Sequence, residues 1–323
     1  MSITEILQTN LFSPMVLAFA LGVLATLLKS DLKFPGEVYT ALSIYLLFAI
    51  GLKGGAELAE TTLAQFWAPA LATLALGVIT PLWCYAILRR LGRFDVPNAA
   101  ALAAHYGSVS AVTFSASLIF LDNVQVPYEG FLPTLVALLE VPAIVIALLI
   151  ARRQMSGGAV SSATIARELL TSKSILLLLG GLAIGFLSGK SGVEQVAPFF
   201  VHPFRGALTL FMLEMGMVAA QRFRDFGKVG FFLAGFGVVA PVLHGVLGVW
   251  LGSLAGMSLG GSMVLGVLAA SASYIAAPAA VRLALPQANP SYYLTAVLAI
   301  TFPFNLVLGL PLYFQIAQFF LGG

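Results

Sequence analysis

Ala103–Phe120 reads Ala-Ala-His-Tyr-Gly-Ser-Val-Ser-Ala-Val-Thr-Phe-Ser-Ala-Ser-Leu-Ile-Phe. The stretch is long enough to cross a bilayer, yet its centre is wrong for a plain membrane helix. Gly107 and five hydroxyl residues (Ser108, Ser110, Thr113, Ser115 and Ser117) interrupt the apolar run. A second stretch, Val267–Leu285, carries Ser271, Ser273, Tyr274 and Pro278 at its centre. Within a bilayer, unwound backbone is tolerated only inside protein or beside a water-filled cavity. Two interrupted spans at corresponding places in two halves point to a transporter's binding site, and the remaining chain reads as scaffold around that pair.

The composition agrees. The chain is 60% hydrophobic and 9% charged, with a mean hydropathy of +1.00, whereas soluble domains carry about 25% charged residues. A net charge of +3 without a Lys/Arg-rich run argues against a nucleic-acid partner. The single cysteine, Cys84, excludes a disulfide framework or cysteine-ligated metal within one chain. Met1–Asn10 is polar, carries Glu5 rather than a basic segment, and does not read as a cleaved leader.

Ten stretches approach the roughly 20 apolar residues a span needs: Phe12–Leu28, Val38–Leu52, Phe66–Leu88, Asn98–Leu121, Phe131–Ala151, Ser174–Ser188, Pro203–Ala220, Val229–Leu254, Ser262–Leu285 and Tyr292–Phe320. With the N-terminus outside, 13 of the 16 Lys and Arg residues fall on the inner side, and Lys53, Lys190 and Arg205 remain outside. This positive-inside bias predicts a multi-pass membrane protein with both termini extracytoplasmic. The polar segment from Arg152 to Lys173, with Gly157 and Gly158, reads as a cytoplasmic linker between two halves, and it lacks a phosphate-cradling pattern.

Shifting the chain by 163 residues places Gly22 on Gly185, Pro35 on Pro198, Ser108 on Ser271, Ser110 on Ser273 and Pro127 on Pro290. Five spans per half is an odd number, so a second copy would lie inverted relative to the first. The expected fold is therefore an all-α integral membrane protein of ten transmembrane helices. It is built as two inverted five-helix repeats, residues 1–151 and 174–323, with spans four and nine discontinuous and crossed.

Gly107 weakens a helix by about 1 kcal/mol, and serine hydroxyls compete for backbone partners. Pro278 removes an N–H and is expected to free the carbonyl of Tyr274. Freed carbonyls suit a hard cation such as Na⁺, and N–H groups at a helix start suit an anion. The hydroxyls of Ser108, Ser110, Ser271 and Ser273 can serve either. Glu140 and Glu214 are the carboxylates well inside spans, and an ionisable group there is a functional candidate by default. Glu140 follows the first broken span and reads as a Na⁺ ligand or counter-charge, with Thr113 and Asn305 as further cation-site candidates. Glu214 reads as structural or gating. His105 reads as a helix–helix hydrogen bond more readily than as a proton relay. No zinc or serine-hydrolase motif occurs, and no enzyme activity or cofactor is expected beyond Na⁺ as coupling ion.

The block Ser271–Pro286 (Ser-Ala-Ser-Tyr-Ile-Ala-Ala-Pro-Ala-Ala-Val-Arg-Leu-Ala-Leu-Pro) resembles the signature of the cyanobacterial-type sodium-dependent bicarbonate transporters. Phe48–Gly55 and Phe211–Met217 resemble that family's second and seventh spans, and the Gly107–Ser110 break its fourth. The resemblance implies a homotrimer that imports bicarbonate with Na⁺ and binds a PII-like cytoplasmic regulator. It implies a gate domain (1–60 plus 174–222) and a core domain (61–151 plus 223–323). It also implies that Ser108, Ser110, Ser271, Ser273 and Tyr274 line the bicarbonate site. Glu140 stands where the family pattern leads one to expect Asp.

The expected function is Na⁺-coupled import of a small monovalent anion, most readily bicarbonate, by an elevator-like movement of the core against the gate. Two alternatives remain open at this point. One is a proton-coupled transporter or cation/proton antiporter on the same plan, with His105 partnering Glu140. The other is a membrane receptor or scaffold for a soluble partner.

Overall fold

A computed structural model describes residues 3–154, 167 and 170–322. The linker from Arg152 to Lys173 thus lies largely outside the described residues. Every regular element among the described residues is a helix: α1 (Ile3–Leu11), α2 (Pro14–Leu27), α3 (Gly36–Ala59), α4 (Leu63–Arg90), α5 (Val96–Gly107), α6 (Ala111–Asn123), α7 (Leu132–Gln154), α8 (Lys173–Phe200), α9 (Phe204–Phe223), α10 (Phe226–Leu254), α11 (Leu259–Ala270), α12 (Ala277–Ala284) and α13 (Pro290–Leu321). Seven spans, with α5 and α6 counted together, are long and apolar enough to cross a membrane. The count is eight if α1 and α2, bent by 56°, are taken together.

The helix starts are written in the sequence. Ser13 precedes Pro14 at the start of α2, and Thr62 and Gln65 form a capping box at α4. Asp95 caps α5 by accepting from the Asn98 N–H at 2.9 Å, and Ser258 caps α11 by accepting from the Gly261 N–H at 3.0 Å. These two caps are themselves 163 residues apart.

Two expected spans were too short. α3 runs on past Leu52 to Ala59, and α8 past Ser188 to Phe200, where Gly189 adopts a left-handed φ of +62°. The apolar runs end at Lys53 and near Lys190, but the helices continue. Lys190 sits 3.5 Å from Glu57 and 2.6 Å from Glu60, so charge is accommodated where the helices leave the apolar layer. The first expected span, Phe12–Leu28, is α2, with α1 turned away before it.

Side chains are arranged inside-out relative to a soluble protein. Leu17, Leu21, Leu24, Leu71, Leu82, Phe186, Leu187 and Phe231 are exposed, while His105, Ser108, Ser110, Glu140, Ser271, Ser273 and Asn305 are buried. An apolar exterior of this extent needs lipid around it.

Two helix pairs approach backbone to backbone. A Cβ on Gly22 would overlap the Leu213 carbonyl of α9, and one on Gly216 the Phe19 carbonyl of α2. Likewise a Cβ on Gly185 would overlap the Leu52 carbonyl of α3, and one on Gly55 the Leu182 carbonyl of α8. Small residues are what allow membrane helices this contact. Elsewhere α4, α5 and α7 pack together, as do α10, α11 and α13.

Gly185→Val should therefore lower stability by about 1–3 kcal/mol through overpacking, read as a drop in the thermal unfolding midpoint in detergent. Gly180→Ala, which meets nothing within 4 Å, should leave that midpoint in place.

Candidate functional site

The first break occupies three residues. α5 ends at Gly107, Ser108 is extended (φ −93°, ψ −175°), and α6 restarts with Ser110 as its cap. The Ser110 Oγ accepts from the Thr113 N–H and from the Thr113 hydroxyl, both at 3.1 Å. Gly107 lets the end of α5 press on α4 and α7, since a Cβ there would lie 2.9 Å from Pro81 and 3.0 Å from Ala143.

The second break is longer. α11 ends at Ala270, Ser271 is extended (φ −78°, ψ 166°), and α12 begins at Ala277. Pro278 lies in the first turn of α12, where a missing N–H is harmless. It therefore starts the second half-helix, and the expected freeing of the Tyr274 carbonyl by Pro278 is not how this break arises. The backbone departs from the helix at Ser271, and Ser273 Oγ accepts from the Ala277 N–H at 3.2 Å.

The breaks meet. The Ser110 N–H donates to Ser271 Oγ at 2.9 Å, and the Ser273 N–H donates to the His105 carbonyl at 2.9 Å. Ser271 Oγ donates onward to the Leu268 carbonyl at 2.9 Å. Ser108 Oγ donates to the main-chain carbonyl of Glu140 at 3.1 Å, tying the first break to α7. Asn305 donates from its amide to the Ala270 carbonyl at 2.8 Å and accepts from the Tyr313 hydroxyl at 2.8 Å. It sits in one of two π-helical stretches of α13, Ala296–Thr301 and Asn305–Gly309, which flank Pro303.

Glu140, Ser110, Ser273 and Tyr274 line one small cavity at this meeting, together with Ser174 of α8, Leu47 of α3 and Ile275. It offers about 10 Å³ to the centre of a water molecule, room for roughly one water or bare ion. The carboxylate and the hydroxyls form an all-oxygen set suited to a hard cation. The Tyr274 hydroxyl is buried without a hydrogen-bond partner. Among the described residues, no three His, Cys, Asp or Glu side chains gather as a transition-metal site would need.

The other named residues surround the cavity without lining it. Ser271 and Thr113 hold Ser110, Ser108 turns to α7, and Asn305 secures the end of α11. His105 is buried with its Nδ1 2.6 Å from the Ala101 carbonyl and its ring stacked on Tyr293 at 4.5 Å. It contributes its carbonyl to the crossing, and its ring stays outside the cavity. Glu214 lies apart, beside Lys29, Lys33 and Arg224. Ser174 and Leu47 escaped the sequence reading. A serine opening a span is a weak signal, and only packing brings α3 and α8 to the crossing.

A family model for the Na⁺-dependent bicarbonate transporter superfamily matches residues 14–318. The chain belongs to that superfamily. It is the family that the Ser271–Pro286 block resembles, and no curated protein sequence matches the chain significantly. Membership in the Na⁺-dependent bicarbonate transporter superfamily makes this a multi-pass membrane transporter rather than an enzyme, and implies bicarbonate and Na⁺ as the transported species.

Ser271→Ala removes the acceptor of the buried Ser110 N–H and should destabilise by about 1–3 kcal/mol. The expected observation is a lowered unfolding midpoint. Hydrogen exchange at the Ser110 amide should also speed up relative to the rest of α6.

Proposed function

We propose that the protein is a Na⁺-coupled symporter that imports bicarbonate at the crossing of the two broken spans. The observation that carries this reading is one buried carboxylate, Glu140, facing a cavity shared by both breaks. Na⁺ binds beside Glu140 and the neighbouring hydroxyls. Its charge then raises the affinity of the α6 start, with its positive dipole end and the Ser110 hydroxyl, for a monoanion. One carboxylate and one Na⁺ leave no net charge to oppose one bicarbonate. Ser110, Ser273 and Tyr274 act at the anion side, with Ser108 and Ser271 supporting the backbone. Thr113 and Asn305 act indirectly, through Ser110 and the end of α11.

Proton coupling would call for a second carboxylate, or a histidine in its place, at the cavity. The His105 ring is buried against Ala101 and Tyr293 and does not line the cavity, which favours Na⁺ instead.

The mechanical part of the proposal is a ten-span, two-repeat transporter in which a core slides against a gate. Support comes from matched details. The extended residues Ser108 and Ser271, and the caps Asp95 and Ser258, are each 163 residues apart. The glycine contacts of α2 on α9 repeat those of α8 on α3. We assign α2, α3, α8 and α9 to the gate and the remaining spans to the core. Trimerisation through the gate, a PII-like regulator, and a bacterial inner membrane with both termini outside follow from the family resemblance and the charge bias.

Uptake of radiolabelled bicarbonate into proteoliposomes should require an inward Na⁺ gradient. Glu140→Gln should weaken the Na⁺ response about 10–100-fold, as loss of a charged hydrogen-bonding partner does. Uptake indifferent to Na⁺ in the unaltered protein would reject coupling, and a normal Na⁺ response in the variant would reject Glu140.

A further inference from the structure

A wider, mostly apolar-walled cavity lies away from the crossing. It lies on the side opposite the basic residues, where the charge bias places the outside, and offers about 230 Å³ to the centre of a water molecule. Lys53 of α3, Asp122 at the end of α6, Tyr128 and Arg205 at the start of α9 surround it. Ile50 and Ser115 form its floor and are shared with a second cavity of about 10 Å³. That second cavity shares Leu47, Ala111 and Ile275 with the cavity beside Glu140. The three therefore form one descending seam, with α3 as one wall (53, 50, 47) and α6 as the other (122, 115, 111).

The charges at the mouth are unequal. Arg205 pairs with Asp122 at 2.7 Å, and Tyr128 donates to the other Asp122 oxygen at 3.1 Å. Burial first, then the Asp122 charge, push the Tyr128 phenol above its ordinary value, so it donates as a neutral group. Among the described residues, Lys53 has no ion pair or hydrogen bond. Of the charged side chains that line the cavity, Lys53, Asp122 and Arg205, Lys53 is thus the one left without an opposite partner, while Glu57, one turn away on α3, is held with Glu60 by Lys190; the low-dielectric walls focus the field of these charges.

We infer that the α3–α6 seam is the outer access route for the anion, with Lys53 as the cation that recruits it and the Arg205–Asp122 pair as a tie across the mouth. The inference rests on the bicarbonate-import reading for the identity of the anion, though not for the path. The two lower cavities are too small for a four-atom anion, so α3 and α6 must separate for passage. The Arg205–Asp122 pair joins α9 to α6 and must be broken or stretched when they do.

The test uses thiol labelling, which needs no transport. Leu118→Cys and Ser115→Cys place a thiol at the upper and lower walls, and the native Cys84 is buried. In intact cells or outside-out vesicles, both should react from outside with a small negatively charged methanethiosulfonate faster than with a positively charged one. Adding Lys53→Gln should reduce that preference about fourfold, the effect of one unit charge acting with opposite sign on the two reagents at ~10 Å through water. Lys53→Arg should keep it. Adding Asp122→Asn, which unties Arg205, should speed labelling at the lower position more than at the upper. No labelling at either position from outside overturns the route. An unchanged charge preference in Lys53→Gln overturns the role of Lys53. Labelling as expected in a protein that takes up no bicarbonate would leave the route standing and reject the import reading.

Discussion

Two hydrogen bonds between helix breaks hold the centre of this molecule: the Ser110 N–H on Ser271 Oγ and the Ser273 N–H on the His105 carbonyl. A helix broken within an apolar layer leaves donors and acceptors that water cannot reach, and each costs several kcal/mol if unpaired. Here each break supplies partners for the other. Serine does this economically: the Ser271 hydroxyl donates to the Leu268 carbonyl of its own helix end and accepts the Ser110 N–H from the other break. Ser110 receives the Thr113 N–H while its own N–H is taken up across the crossing.

The remaining packing follows from that constraint. α7 enters because Ser108 binds the Glu140 carbonyl, which sets the Glu140 side chain beside the crossing. α13 enters because Asn305 takes the last carbonyl of α11. Asn305 and Thr301 lie in its π-helical turns, and Thr301 accepts from the Tyr106 hydroxyl of α5 and donates to the Gly237 carbonyl of α10. The breaks, α7 and α13 are thus cross-tied by hydrogen bonds. α2 on α9 and α3 on α8 meet backbone to backbone at glycines, with the Thr26 hydroxyl on the Met217 carbonyl, the Tyr45 hydroxyl on the Phe199 carbonyl, and Lys190 beside Glu57 and Glu60 as polar links.

Residue types and their order were enough to place this chain in a membrane, to locate its helices and to find both breaks. Charge scarcity and hydropathy decide the solvent, and caps such as Asp95, Ser110 and Ser258 act within four residues of themselves. Glu140 was legible for the same reason, since an isolated carboxylate in an apolar run is costly wherever it points. Tertiary structure decided which groups share the cavity. Thr113 and Asn305 have the chemistry of cation ligands, yet neither lines the cavity: the Thr113 hydroxyl donates to Ser110, and the Asn305 amide oxygen accepts from Tyr313. Pro278 has the chemistry of a breaker, yet it opens a helix. Ser174 and Leu47 join the site from helices far away in sequence. Local preferences act through neighbours along the chain, whereas facing positions depend on how whole helices cross, and that crossing is set by contacts between residues more than a hundred positions apart.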